Sequence, residues 1–187
     1  NFLSLNVDVG NHQAFAYLNG HYFVSGAQNG IAVSTDGSNF TVTLPNYASP
    51  DLNAYFSNIS QFAVGNGIVV GVAYERIVTS SNMGSTWTNQ DNFFGYGSAA
   101  PTTPLQYNNL RSILFDGKQF VIFGGSGNYG QTPTTWKSTD GVNWTMKVSQ
   151  IPVIIAGGDH TSHLVGFTSG NSFNPSNMFS SLDLGST

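Results

Sequence analysis

One short pattern recurs along the chain and constrains its fold more than any other feature. It reads STDGVNW at residues 138–144, STDGSNF at 34–40 and SSNMGSTW at 80–87, and a fourth copy, SLDLGST at 181–187, stops before the aromatic residue. The acidic or amide side chain can accept hydrogen bonds from the turn's own backbone, glycine tolerates a positive φ, and the aromatic residue can enter a core. The pattern therefore predicts a tight turn that joins two strands.

A second kind of turn is predicted before each of the first three copies. In the first two units, 20 residues separate its glycine from the aromatic residue of the next turn, whereas the third unit has 27, with the excess in the stretch 124–134. Each unit then contains four strands in antiparallel order. The dipeptides that indicate two-residue hairpin turns are Asn19-Gly20, Asn66-Gly67 and Asp116-Gly117.

The repeated turn resembles the Asp-box, or BNR repeat, of sialidase-like and related β-propellers. The resemblance implies an all-β fold, a β-propeller of four-stranded antiparallel blades with Asp-box turns, and residues 1–187 would form one propeller domain or a fragment of one. About four blades are expected, the last one truncated, and repeat periods near 50 residues are typical of such arrays. The expected blades cover approximately residues 14–45, 61–89, 110–148 and 152–187.

Two other folds compete with the propeller. A β-sandwich and a trimeric β-fibre module also have many short strands. Neither accounts for paired turn signals at a fixed spacing. The segment 2–9, which alternates apolar and polar residues, is expected to be an outer strand of an earlier blade or a closing strand.

The residues of the repeated turns are expected to be structural, although some of them are carboxylates. Trp87 and Trp144 are predicted to be buried between neighbouring blades, and Asn82 and Asp140 to bond within their own turns. The expected structural Asp-box residues are Ser34, Asp36, Gly37, Phe40, Asn82, Gly84, Trp87, Ser138, Asp140, Gly141, Trp144, Asp183 and Gly185.

The chain has unusually few charges, which excludes some classes of partner. Only 7% of its residues are charged, against roughly 25% in ordinary soluble domains. A net charge of −4 with five basic residues provides no basic surface for nucleic acid. The chain has no cysteine, and it has no apolar run of the roughly 20 residues that a membrane span needs. Because it begins without Met and ends inside a repeat, we interpret it as a fragment of a longer protein.

A ligand-binding face is expected from the propeller resemblance. The loops between the second and third strands of each blade share one face with the linkers between blades. Aromatic rings beside amide groups on that face suit sugars, but the same aromatic residues can instead pack between blades. Glu75 and Arg76 point to opposite faces of a strand, and either charge can form a structural ion pair with a neighbouring blade. The candidate ligand-binding residues are Tyr74, Glu75, Arg76, Phe94, Tyr96 and Tyr129.

Catalysis is the less favoured interpretation. Sialidases, which share the Asp-box, use three arginines to bind the substrate carboxylate and have a characteristic Arg-Ile-Pro motif at their start. This chain has only Arg76 and Arg111 and lacks that motif, so a sialidase is disfavoured. Other glycoside hydrolases use two carboxylates about 5–9.5 Å apart, and Asp51 and Asp91 in the linkers keep that alternative open. His160 and His163 lack a third ligand partner nearby, so neither a metal nor a cofactor is expected.

The sequence thus favours a non-catalytic structural or adhesive propeller module on a virion, as a tail, fibre or decoration protein, or on a cell exterior. Glycan recognition and purely architectural contact both stay open within this class. The expected partners are other protein subunits, the remaining blades of a longer chain, or surface glycans; nucleic acid and membrane insertion are not expected. A photosystem-type assembly factor is a third option, although such factors dock through charged surfaces that this chain lacks.

Overall fold

The fold consists of antiparallel β-sheets. A computed structural model describes residues 14–27, 30–44, 59–73, 76–89, 109–126, 132–148, 155–158, 164–167 and 178–181. Every regular element within these ranges is a β-strand, and the strands form three four-stranded sheets and one three-stranded sheet. The predicted all-β class and the four-stranded antiparallel sheets are therefore confirmed. In the same ranges no helix is long and apolar enough to cross a bilayer.

Each sheet is a meander in which strands that follow one another in the chain pair side by side. The first sheet contains β1 (Phe15–Leu18), β2 (His21–Ala27), β3 (Gly30–Ser34) and β4 (Thr41–Thr43). The second contains β5 (Gln61–Gly65), β6 (Ile68–Ala73), β7 (Arg76–Ser80) and β8 (Thr88–Asn89). The third contains β9 (Asn109–Phe115), β10 (Phe120–Ser126), β11 (Thr132–Ser138) and β12 (Thr145–Val148). The fourth contains β13 (Ile155–Gly158), β14 (Leu164–Phe167) and β15 (Met178–Ser181).

The chain divides into two compact units, Asn1–Gln90 and Asp91–Thr187. The first unit holds the first and second sheets, and the second unit holds the third and fourth. Inside the first unit β1 lies next to β5, and inside the second unit β9 lies next to β13. Within each unit, therefore, the two sheets meet at their first strands.

The two Asn-Gly turns have the predicted conformation. Asn19 and Gly20 have φ values of 49° and 77°, and Asn66 and Gly67 have values of 51° and 76°. Positive φ at both central residues is what a two-residue type I′ hairpin requires, and its twist matches that of the flanking strands. These turns set the register in which β1 pairs with β2 and β5 with β6.

The third turn differs from the two-residue hairpin predicted for Asp116-Gly117. β9 ends at Phe115 and β10 begins at Phe120, so four residues connect the strands. Asp116 Oδ1 accepts hydrogen bonds from the backbone N–H groups of Lys118 and Gln119, both at 2.7 Å. An aspartate side chain at the start of a turn can organise the backbone in this way without a positive φ of its own, which explains the longer loop.

The first and second sheets pack face to face. Phe23 and Ile31 of the first sheet share a buried cluster with Phe62, Val69 and Trp87 of the second. Consecutive residues of a strand point to opposite faces, and both Val69 and its successor Val70 are fully buried. Both faces of the second sheet are consequently covered.

A buried serine links these two sheets through hydrogen bonds. The backbone N–H of Ala14 donates to Ser25 Oγ at 2.6 Å, and the hydroxyl donates to the carbonyl oxygen of Ile59, just before β5, at 3.0 Å. Ser25 is fully buried, so both bonds replace contacts with water that the backbone groups have lost. The hydroxyl thus ties the start of the first sheet to the start of the second.

Candidate functional site

The first copy of the repeated turn, residues 34–40, is organised by the hydroxyl of Ser34. Its Oγ accepts from the backbone N–H of Gly37 at 2.9 Å and donates to Asp36 Oδ1 at 2.9 Å. Gly37 has a φ of 73°, a conformation that glycine adopts without the steric cost that a Cβ brings. The serine and the glycine therefore fix the backbone that carries the acidic side chain.

Both oxygens of the Asp36 carboxylate are engaged by its own turn. Oδ1 accepts from the backbone N–H groups of Ser38 and Asn39, each at 2.8 Å, and Oδ2 accepts from Asn39 Nδ2 at 2.8 Å. The third copy of the repeated turn, residues 138–144, has the same arrangement around Asp140. Val142 N lies 2.9 Å from Asp140 Oδ1, and both Asn143 nitrogens lie 2.7 Å from the carboxylate. These carboxylates hold their turns together.

In the second copy of the repeated turn, residues 80–87, the amide side chain of Asn82 takes the place of the aspartate. This turn is one residue longer because Met83, with a φ of 52°, is inserted before Gly84. Asn82 Oδ1 accepts from Thr86 N, and Asn82 Nδ2 donates to Thr86 Oγ1, both at 2.9 Å. The Asn82 amide has an acceptor oxygen and a donor NH₂ group. Its NH₂ group therefore faces a hydroxyl acceptor, Thr86 Oγ1, whereas the carboxylates of the other two turns face an asparagine donor.

The hydrogen bonds lower the pKa values of the two turn carboxylates. The backbone N–H of Asn39 makes the largest contribution to holding the pKa of Asp36 well below its usual range, followed by the Asn39 side chain. The side-chain amide of Asn143, followed by its backbone N–H, holds the pKa of Asp140 well below its usual range. Hydrogen bonds donated to a carboxylate favour its charged form. Both groups are therefore stable anions at neutral pH.

Acid should destabilise the protein through these two turns. Because the folded-state pKa values lie below the unfolded value of about 3.9, their contribution to stability is complete above that pH and is lost progressively below it. We expect the double variant Asp36→Asn/Asp140→Asn to lose less stability than the native chain between about pH 7 and about pH 3. Urea unfolding at both pH values measures this difference. Equal losses for the two proteins would contradict the assignment.

Trp87 is buried between the first and second sheets, as expected. Its side chain is 2% exposed, and its ring centroid lies 6.3 Å from that of Phe23, edge-on, and 6.0 Å from that of Phe62. The indole Nε1 donates to Thr43 Oγ1 of β4 at 3.1 Å. The aromatic residue of the second turn therefore both packs on the neighbouring sheet and bonds to it.

Trp144, which was predicted to be buried between neighbouring blades, is only partly buried. Its indole Nε1 donates to the carbonyl oxygen of Gly141 in its own turn at 3.1 Å. That bond holds the ring over the turn, whereas the Trp87 donor reaches a different sheet. Phe40, the aromatic residue of the first turn, is buried against Val24 and Ala32 of its own sheet.

Most of the candidate ligand-binding residues lie outside the described part of the chain. These are Tyr74, Glu75, Phe94, Tyr96 and Tyr129. The same holds for Asp183 and Gly185, which were expected to be structural Asp-box residues, and for the carboxylates and histidines weighed for catalysis or metal binding, Asp51, Asp91, His160 and His163. Arg76 opens β7 opposite Ala73 and is partly buried. The described residues contain no cluster of three or more histidine and carboxylate side chains that would hold a metal.

A cluster of exposed aromatic rings was not anticipated from the sequence. Phe15 and Tyr17 of β1 are 65% and 58% exposed. The Tyr17 and Tyr22 ring centroids are 4.5 Å apart, and those of Phe15 and Tyr22 are 6.0 Å apart. The alternation of Phe15 and Tyr17 in one strand places them on one face, a signal that the sequence does contain.

Neither protein-family models nor curated protein sequences match the chain.

Proposed function

We propose that this chain is a non-catalytic β-propeller module with a structural or adhesive role on a virion or cell exterior. The observation that supports the proposal most is that both oxygens of the Asp36 and Asp140 carboxylates accept hydrogen bonds from residues of their own turns. A general acid or nucleophile needs an oxygen that can reach a substrate, and these oxygens already serve the turns. Their role is to build the repeated sheets.

The arrangement of the sheets supports the propeller part of the proposal. Propeller blades are four-stranded meanders set around a central channel, so the first strands of neighbouring blades should lie close together. β1 lies next to β5 in one unit, and β9 lies next to β13 in the other. Neighbouring blades also cover each other's faces, and adjacent residues of the third sheet, Phe120, Val121 and Ile122, are all buried.

The composition supports the placement on an exterior surface. A surface built from Asn, Ser, Thr, Gln and Gly, in a chain with 7% charged residues and no cysteine, resembles that of phage tail, fibre and decoration proteins. Amide and hydroxyl groups beside aromatic rings can recognise glycans. The proposed glycan-binding residues are Tyr74, Tyr96 and Tyr129. Because a fold does not determine a function, the role has to be tested directly.

Glycan-array binding and chromogenic-glycoside turnover, measured on the same preparation, test this proposal. We expect selective binding without turnover, and we expect the triple variant Tyr74→Ala/Tyr96→Ala/Tyr129→Ala to lose it. The matched control is Val142→Ala/Met146→Ala, which removes exposed apolar side chains from the third sheet and its turn. If the protein neither binds a glycan nor turns over a glycoside, the result supports a structural role rather than an adhesive one. Turnover of any glycoside would contradict the proposal and favour a glycoside hydrolase.

A further inference from the structure

Two identical Asn-Gly dipeptides lie in matching turns of the first two sheets. Asn19-Gly20 joins β1 to β2, and Asn66-Gly67 joins β5 to β6. The two turns have nearly equal φ values at both positions, and all four residues are exposed. The described part of the chain therefore contains the same reactive dipeptide twice, in the same local conformation.

An Asn-Gly dipeptide can lose its side-chain amide in water without a catalyst. The backbone nitrogen of the glycine attacks the asparagine Cγ, so that an N–Cγ bond forms and the Cγ–Nδ2 bond breaks. Ammonia leaves with the proton that the glycine nitrogen gives up, and a five-membered imide remains. Water then opens the imide at either carbonyl and leaves aspartate or isoaspartate. Glycine favours the reaction because no Cβ shields its nitrogen.

Both turns leave the attacking nitrogen accessible. In a two-residue hairpin the ladder closes at the flanking residues, which are Leu18 and His21 in the first turn, so the glycine N–H lies outside the ladder. A Cβ placed on Gly20 or Gly67 would have no described atom within 4 Å. Access to the nitrogen thus does not distinguish the two turns.

The closed hairpin, however, holds the reacting atoms apart. A residue in the left-handed conformation has a ψ of about +47°, which places the nitrogen of the next residue on the opposite side of the Cα–C bond from Cβ. Imide formation needs these two atoms on the same side. The peptide must therefore rotate, and the rotation disrupts the type I′ turn. The rate of deamidation consequently depends on how often each hairpin opens.

The strands that lead into the two turns differ in their packing. Phe15 and Tyr17 of β1 are 65% and 58% exposed, and no residue of β1 is buried. By contrast, three of the five residues of β5 are buried, and Phe62 is only 5% exposed. The buried bond from Ala14 to Ser25 lies at the end of β1 opposite the turn. Since local opening costs least where few apolar contacts are lost, the β1–β2 hairpin should open more easily.

We propose that Asn19 is a site of spontaneous deamidation in the folded protein and that the packing of β5 protects Asn66. The modification adds a negative charge to a chain with 7% charged residues. The isoaspartate product also adds one methylene group to the turn backbone, which changes the two-residue turn that sets the register of β1. This modification site is independent of the structural or adhesive role proposed above.

Peptide mapping by tandem mass spectrometry, during incubation of the folded protein in mildly alkaline buffer, tests this proposal. We expect Asn19 to convert to the acid forms about tenfold or more faster than Asn66, which corresponds to a difference of about 1.4 kcal/mol in the free energy of opening. Chymotryptic cleavage after Tyr22 separates Asn19 from Asn29, which also precedes a glycine.

Three controls separate hairpin opening from the influence of neighbouring residues. In urea-unfolded protein the two asparagines should convert at similar rates, because both precede glycine. The variant His21→Ile copies the residue that follows the second turn and removes the imidazole whose Nδ1 lies 3.1 Å from the Asn19 carbonyl oxygen, and we expect it to keep the rate difference. Amide hydrogen exchange should be faster at His21 than at Ile68, the residues that close the two ladders.

Four results would overturn the proposal. They are equal conversion of Asn19 and Asn66 in the folded protein, faster conversion of Asn66, a rate difference that persists unchanged in urea, and a rate difference that His21→Ile abolishes. The last two would assign the difference to neighbouring residues rather than to the packing of β1 and β5.

Discussion

Trp87→Ala is expected to lower the free energy of unfolding by about 3–5 kcal/mol, the range for removing a large buried aromatic side chain. The substitution leaves a cavity among Phe23, Phe62 and the residues of two sheets. It also removes the indole donor from Thr43 Oγ1. Urea unfolding followed by circular dichroism measures the loss.

Two variants separate the causes of this effect. Trp144→Ala removes the partly exposed tryptophan that bonds to its own turn, and we expect a smaller loss than for Trp87→Ala, because part of the Trp144 side chain is already exposed to water. Trp87→Phe keeps an aromatic ring but loses the hydrogen bond to Thr43, which should cost about 1 kcal/mol for the bond itself. Similar losses for Trp87→Ala and Trp144→Ala would contradict an inter-sheet role that is specific to Trp87.

Gly84→Ala should destabilise the protein by about 2–4 kcal/mol, because backbone strain and overpacking act together. Gly84 has a φ of 86°, in the region that residues with a Cβ avoid. A Cβ at this position would lie 2.7 Å from Val33 Cγ2 and 3.1 Å from Phe23 Cε1, both in the first sheet. The turn can approach the neighbouring sheet only because the side chain is absent.

Gly67→Ala is the matched control for this prediction. Gly67 has a φ of 76°, but a Cβ there would meet no atom within 4 Å. Only the backbone strain remains, and we expect a loss of about 1–2 kcal/mol. The difference between the two variants measures the close approach of the Gly84 turn to the first sheet. Equal effects in thermal and urea unfolding would show that Gly84 does not contact that sheet.

The parts of the fold that were predictable depend on local backbone chemistry. Asn19-Gly20 and Asn66-Gly67 specify their turns through positive φ angles that few other dipeptides adopt. The serine and acidic residues of the repeated pattern likewise act on backbone groups within four residues of themselves. Such short-range requirements leave a clear mark on the sequence, and for this reason the repeat indicated four-stranded antiparallel sheets.

The features that were missed depend on partners far along the chain. Ser25 bonds to Ile59, which lies 34 residues away, and a single serine in an apolar strand does not indicate where its partner is. Trp87 and Trp144 occupy the same place in the pattern, yet one bonds to another sheet and the other to its own turn. What surrounds a side chain is decided by the packing of sheets, which the repeat alone does not specify.

The functional interpretation depends on the same distinction. That Asp36 and Asp140 serve their turns follows from residues next to them, and the turn geometry agrees with it. The proposed glycan site combines Tyr74, Tyr96 and Tyr129 from separate loops, and residue types alone cannot place three loops together. Adhesion is therefore a proposal whose support comes from composition and fold.

A crystal structure of the protein tests the central claim, a propeller built from Asp-box sheets, most directly. We predict that within each unit the first strands of successive antiparallel sheets lie side by side, β1 beside β5 and β9 beside β13, as in neighbouring propeller blades. Two sheets stacked as a sandwich, with β1 separated from β5, would contradict it.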